Sequence, residues 1–276
     1  MAGTVGQNYV LRFTSIPTLT LVDSQNVTIT SGTATTIALN GGNNQSATVG
    51  AAVTTAPSVK VTDAQGNAVS GVSVTFATGT GSGSLASGTT VTTDSAGIFS
   101  SPAWTLSTTA GANTLTATSG TLTGSPVSFT ATGVAGAATQ LAFVSQPSSV
   151  VAAATMSPAV TVEVQDAYGN RVTTSTASVG LAFGNNAGSG TLTGGTAVAA
   201  VAGMATYSGL SINKTGSGYT LSASSVSLTS ATSTTFAVTA GTATTIALSG
   251  GNSQSATVST AVATAPSVKV TDAQGN

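Results

Sequence analysis

An all-β fold of sandwich units arranged end to end is what this sequence predicts, and three observations carry that expectation. The polar share of its 276 residues is mostly Thr, Ser, Gly and Asn, with Thr about a fifth of the chain. Thr favours strands, whereas Gly and Asn favour turns. Apolar residues alternate with Thr and Ser over short runs, the pattern of a strand with one buried and one solvated face. And the sequence repeats itself.

The segment Gly32–Asn67 returns at Gly241–Asn276, 209 residues later, with changes only at positions 40/249, 44/253, 50/259, 51/260 and 54/263. A weaker half-period lies inside: VTDAQGN at Val61–Asn67 corresponds to VQDAYGN at Val164–Asn170, and Asp63 and Asp166 are 103 residues apart. A unit of about 105 residues is the length of a self-standing sandwich and far exceeds ankyrin or leucine-rich repeats. The array alternates two flavours, A and B.

Taken in order, residues 1–31 read as the last strands of a B unit, since Tyr9-Val-Leu11 corresponds to Tyr219-Thr-Leu221. Residues 32–134 form a complete A unit. Its strand signals are Val59 and Val61, then Val72, Val74 and Phe76, then Leu115 and Ala117, then Val127, Phe129 and Ala131. Residues 135–240 form a complete B unit, with Val162, Val164, Val179, Leu181, Phe183, Leu221, Phe236 and Val238 at the same places. Seven to nine strands and no helix are expected in each. Residues 241–276 begin another A unit. The two end pieces carry core-type residues, Leu11, Phe13, Leu19, Leu21, Val27 and Ile29 in one and Ile246, Leu248, Val268 and Val270 in the other. Neither holds enough strands to cover them. They belong either to a longer array or to strand exchange between copies.

The run VKVTDAQGNAVSGVSVTF, followed by TTVTTDSAGIF and ANTLTATSG, resembles the bacterial immunoglobulin-like repeats of invasin- and intimin-type surface proteins. The matching turns are Asp63–Asn67 and Thr93–Gly97. Unit B, with VEVQDAYGNRV and GYTLSASS, is similar to the repeats of giant extracellular bacterial proteins, although Val201-Ala-Gly203 stands where the second turn has Thr-Asp. The resemblance implies tandem Ig-like β-sandwich domains and an extracellular or cell-surface location. It carries no ligand, because binding in such arrays resides in a separate tip domain.

The composition excludes much chemistry. There is no Cys or His, and only five Lys+Arg face six Asp+Glu. Thiolate and imidazole metal ligation, His-dependent nucleophilic triads and disulfides are therefore absent, and no basic cluster exists for a nucleic-acid backbone. A mean hydropathy of +0.36 argues against disorder. The longest apolar stretch, Ala197–Ala205, is short of the ~18 residues of a membrane span. The opening MAGTVGQNYVLRF lacks the charged and apolar regions of a secretory signal.

No catalytic, cofactor-binding or metal-binding residue is assigned. Asp63/Asn67, Asp166/Asn170 and Asp272/Asn276 offer oxygen, but one acid per turn is too few for Ca²⁺, and an Asx turn explains each motif. Asp23, Asp94 and Glu163 are scattered. Lys60, Glu163 and Lys269 occupy equivalent outward strand positions, with alternating sign that could pair neighbouring rods. The Gly79–Gly83 string has no following helix and is no nucleotide loop. Tyr9 and Tyr219 read as tyrosine corners, with Asn113 in their place in unit A. Trp104 reads as core, with Leu210 as its counterpart. Asn26, Asn44 and Asn213 head glycosylation sequons.

The expected function is a non-enzymatic structural segment, the body of a self-associating fibre whose nearly neutral surface tolerates lateral packing. A solitary adhesin stalk, or a carbohydrate-binding or phage-type decoration module, is the alternative. The expected partners are other copies of the chain, side by side or end to end, including strand pairing at the chain ends. Nucleic acid and membrane insertion are not expected, and glycans enter only through the sequons.

Overall fold

The computed structural model describes residues 5–14 and 22–276, apart from the side chain of Val22. The chain divides into two compact units between Val134 and Ala135. Among the described residues there is no helix.

In the first unit, β1 (Asn8–Tyr9) pairs with β4 (Val27–Thr28), and β2 (Arg12–Phe13) with β3 (Val22–Asp23). The rest is a two-sheet sandwich. Its strands are β5 (Ala34–Gly41), β6 (Gln45–Thr48), β7 (Ser58–Asp63), β8 (Ser73–Thr78), β9 (Ser84–Leu85), β10 (Thr90–Thr92), β11 (Ile98–Ser100), β12 (Trp104–Thr105), β13 (Gly111–Thr118) and β14 (Val127–Val134). One sheet runs β5-β7-β11 and the other β10-β8-β13-β14-β6. The first strand changes sheets: β5 lies antiparallel to β7, and its continuation β6 lies parallel to β14. Ile37, Val59 and Val61 from one sheet meet Val74, Leu115 and Phe129 from the other in one buried cluster. Phe76 and Phe99 face each other across the two sheets with ring centroids 5.6 Å apart, an aromatic pairing distance.

In the second unit the strands are β15 (Gln140–Ser145), β16 (Val150–Val151), β17 (Val160–Gln165), β18 (Ser178–Asn185), β19 (Leu192–Thr193), β20 (Val198–Ala199), β21 (Met204–Tyr207), β22 (Ser211–Ile212), β23 (Gly216–Ser224), β24 (Ala231–Thr232), β25 (Phe236–Thr239), β26 (Ala243–Gly250) and β27 (Ser267–Asp272). Sheets β15-β17-β21 and β16-β25-β23-β18-β20 form the sandwich of residues 135–240, and β26 and β27 form a separate hairpin.

Ten strands fall within 32–134 and eleven within 135–240, more than the seven to nine expected. The surplus includes the short pairs β9–β12 and β19–β22. Each folds a Ser/Gly loop back on the segment that carries Trp104 or follows Leu210, satisfying backbone groups that a free loop would leave to water.

The piece before residue 32 reproduces the end of the B sandwich. The pairs Tyr9↔Val27 and Arg12↔Asp23 match Tyr219↔Phe236 and Ser222↔Thr232. The Ser24 hydroxyl accepts the Leu11 amide at 2.9 Å, as the Ser233 hydroxyl accepts that of Leu221 at 2.9 Å.

The hairpin β26–β27 likewise repeats the register of β5–β7, both bulges included. Its burial does not follow. Ile37, Val59 and Val61 are at most 1 % exposed, whereas Ile246, Val268 and Val270 are 69 %, 58 % and 55 % exposed. Leu248 is a correction: its counterpart Leu39 is 44 % exposed inside the complete sandwich, so neither is a core position. The bulge between Leu39 and Gly41 turns the strand off its sheet as it crosses to the other. Leu19 and Leu21 lie outside the described residues.

The turn that replaces Thr-Asp in unit B is a tight two-residue hairpin. Val201 and Met204 exchange amide hydrogen bonds of 2.9 and 3.0 Å, with Ala202 and Gly203 at φ +48° and +75°. Two positive φ values define a type I′ turn, which penalises an alanine at its first position. Ala202→Gly is therefore expected to stabilise residues 135–240 by about 0.5–1 kcal/mol in urea denaturation, and a destabilisation would overturn this assignment of the turn.

Candidate functional site

The same arrangement stands at the start of each A or B unit, and it is built around the Asp of the Asp-Ala-x-Gly-Asn turn. A glycine at φ +83° in the first two copies (Gly66, Gly169) and +76° in the third (Gly275) closes the turn. Its amide donates to the Asp carbonyl at 3.0–3.1 Å. In the first copy Asp63 Oδ1 accepts the amides of Gln65 and Asn67 at 3.0 and 2.9 Å. Oδ2 accepts the Asn67 side-chain amide at 3.0 Å and the backbone amide of Gly32 at 2.9 Å. Asp166 does the same with Tyr168, Asn170 and Gly136, and Asp272 with Gln274, Asn276 and Gly241. The three Asp–Gly amide bonds are each 2.9 Å.

Sequence reasoning recognised the Asx turn but missed the distant glycine. The signal was present: Gly32, Gly136 and Gly241 precede their Asp by 31, 30 and 31 residues. The carboxylate thus ties the opening glycine of a unit to its first long hairpin, and so fixes the direction in which the chain enters the sandwich.

All three carboxylates are buried and surrounded by N–H donors, which favour the ionised form. The Asn67 side chain, then the Gly32 amide and the amides of Asn67 and Gln65, hold Asp63 down from 3.8 to about 2 against burial, which pushes it up. For Asp166 burial pushes upward most strongly, yet Asn170, Gly136 and Tyr168 together leave it below 3.8. Asp272 is held well below the carboxylate range by the Asn276 side chain and the Gly241 amide. A cation would have to displace these N–H groups. No group of three or more acids gathers among the described residues.

In the second unit the third clasp also touches the sandwich before it. The Lys214 ammonium donates to the Gln274 carbonyl at 2.7 Å, and the Asn276 side chain donates to the Asn213 carbonyl at 3.1 Å while accepting the Thr215 amide at 3.2 Å. Asn276 therefore serves the clasp and the junction together.

Other singled-out residues have structural places. The Tyr219 hydroxyl donates to the Lys214 carbonyl at 2.9 Å, the corner expected of it. Asn113 does a similar service for unit A, accepting the Ser107 amide at 2.9 Å and donating to the Gly111 carbonyl at 3.1 Å. Trp104 is fully buried, and its ring N–H donates at 3.0 Å to the carbonyl of Ser82, inside the Gly79–Gly83 loop. Leu210 is fully buried. Asp94 caps its own turn by accepting the amides of Ala96 and Ile98, each at 2.9 Å. Asp23 pairs with Arg12 at 3.0 Å. Lys60 and Lys269 are exposed. Glu163 is a correction: it is mostly buried, pairs with Arg171 at 3.7 Å and accepts the Gln165 side chain at 3.2 Å, so it is engaged within its own unit rather than free for a neighbouring rod. Asn26 and Asn44 are exposed and Asn213 is half-buried.

The strand that changes sheets and the tyrosine corner are the features of one architecture. The fold is all-β and immunoglobulin-like. No protein-family model matches the chain, and no curated protein matches it. Among solved structures it is similar to the Escherichia coli adhesin FdeC, at 20 % identity over 90 % of this chain and 77 % of that one, TM-score 0.45. It is similar to Yersinia pseudotuberculosis InvD at 20 % identity over 87 % and 71 % of the two chains, TM-score 0.41. Invasin, described as a bacterial integrin-binding protein, is 23 % identical over 72 % of this chain and 38 % of its own, TM-score 0.30. Invasin and the D0-D1 domain of intimin are of the two types named in the resemblance. A Bacteroides vulgatus β-glycosidase is matched over only 24 % of its length.

Proposed function

We propose that the chain is a non-catalytic structural segment of a bacterial extracellular, cell-surface protein, and that copies of it associate into a fibre. The observation that carries the structural role is the clasp. The one buried charge repeated in every unit is spent on holding a junction glycine, with all its oxygens bonded to the chain's own N–H groups. Junctions of a few residues pinned in this way restrict the angles between units. Self-association is supported by the sparse charge, with Arg12, Asp23, Glu163 and Arg171 already in ion pairs. A solitary adhesin stalk is the second reading, and adhesins are named among the structural neighbours. Negative-stain imaging of the native material separates them: ordered bundles or helices are expected, and isolated thin rods would overturn the fibre.

A further inference from the structure

We infer that Asn40 is a modification site: its carboxamide closes on the Gly41 amide and is hydrolysed, so that the sandwich of residues 32–134 gains a carboxylate with age. Asn40-Gly41 is the one Asn-Gly pair in the chain. Glycine after asparagine leaves the attacking nitrogen unhindered, because it has no Cβ and turns freely. In a regular strand the pair would still be protected, since ladder bonds fix its torsions. Asn40 is not in a regular strand. It is the extra residue of the bulge in β5, between Leu39, opposite Val59, and Gly41, opposite Ser58. A bulged residue is left out of the ladder. Asn40 is also exposed.

Its side chain is aimed at the reaction. Asn40 Nδ2 donates to the Ser58 hydroxyl at 3.0 Å, and Ser58 is buried and so anchored. Because Ser58 is the residue opposite Gly41, this bond lays the carboxamide along the Gly41 backbone. The same hydroxyl stands 3.3 Å from where a Cβ on Gly41 would lie, which disfavours a larger residue there. The hairpin β26–β27 supplies the comparison. It has the same bulge, with Gly250 opposite Ser267, but Ser249 stands in place of Asn40. Glycine and facing serine therefore belong to the bulge, whereas the reactive amide belongs to Asn40 alone.

The step needs only water and a base from solvent. The base takes the Gly41 amide proton, the nitrogen's electron pair closes on Asn40 Cγ, and the Cγ–Nδ2 bond breaks. Nδ2 takes a proton from water and leaves as ammonia. Water then opens the five-membered ring at either carbonyl. Breaking the Cγ–N bond leaves aspartate, and breaking the original peptide bond leaves isoaspartate. Nothing is oxidised or reduced. Either product adds one negative charge to a chain whose formal net charge is −1, at the point where the first strand crosses from one sheet to the other. Isoaspartate also lengthens the backbone there by one methylene.

The test is to hold the full chain in mildly alkaline buffer, then digest it and read the peptides by tandem mass spectrometry. Asn40 is expected to convert about tenfold faster than any other asparagine, giving aspartyl and isoaspartyl peptides of equal mass. The same measurement in urea separates structure from sequence. Folded and unfolded chains should convert Asn40 at comparable rates. Loss of the reaction on folding would overturn the inference, because the bulge would then protect the pair instead of releasing it. Ser58→Ala is expected to slow the folded chain severalfold and to leave the rate in urea unchanged. An unchanged rate in the folded variant would overturn the role of Ser58 in positioning the amide.

Discussion

Trp104→Ala is expected to cost residues 32–134 about 3–5 kcal/mol, the range for removing a large buried aromatic. The core it leaves is thin. Most of the cluster is Val, Leu, Ala and Phe, and Trp104 is the largest fully buried side chain. It also carries a polar bond: its ring N–H satisfies the Ser82 carbonyl, which would be left without a partner. A domain of this size holds about 5–15 kcal/mol in total, so the loss is a large share of the whole. Urea denaturation followed by circular dichroism checks it. The transition of residues 32–134 should move while that of residues 135–240 stays, because Leu210 fills the same place there without Trp104. A shift below about 1 kcal/mol would show that the site relaxes to fill the cavity. Trp104→Phe, which keeps most of the volume but not the donor, is expected to fall between.

The second large effect belongs to the clasp. Asp166→Ala is expected to destabilise its sandwich by about 1–3 kcal/mol, because the partly buried amides of Gly136, Tyr168 and Asn170 lose their shared acceptor together. Asp166→Asn should not rescue it, since the new NH₂ group would face N–H donors. The same geometry sets an acid limit. Asp63 falls from 3.8 in the unfolded chain to about 2 when folded, and Asp166 and Asp272 move in the same direction. The unfolded state therefore binds more protons in this interval. The contribution is full above pH 3.8 and is lost as pH falls through about 2. Urea midpoints measured across that window should decline with acid in the wild type and decline less in Asp63→Ala. An unchanged slope in the variant would remove the clasp from the account.

Much of this was legible in residue order. Strand faces followed from alternation, since Leu115, Ala117, Phe129 and Ala131 are buried where period two places them. The Asp-Ala-x-Gly-Asn turns followed from Asx chemistry and a glycine at positive φ. The clasp was not legible, although its spacing was on view, because a bond between residues 31 apart depends on how the first hairpin folds back. Glu163 was misread for a related reason: a strand position facing away from the core is solvated only if nothing lies beside it, and Arg171 lies beside it. The short pairs β9–β12 and β19–β22 were missed because Ser/Gly loops carry no alternation to mark them.

The sequence by itself determined the fold class, the two-flavour period, the turn positions and the absence of thiol and imidazole chemistry, since each depends on residue type and local spacing. That the end pieces hold too few strands to cover their core-type residues was legible in the repeat, and only the tertiary structure decided how far each of those residues is exposed. Val59 and Val61 are buried, while Val268 and Val270, in an identical stretch with the same register, face solvent. Gln45–Thr48 is a strand and Gln254–Thr257 is not. Burial and strand pairing are properties of what packs alongside, and the opposite sheet that covers Val59 comes from residues 73–134.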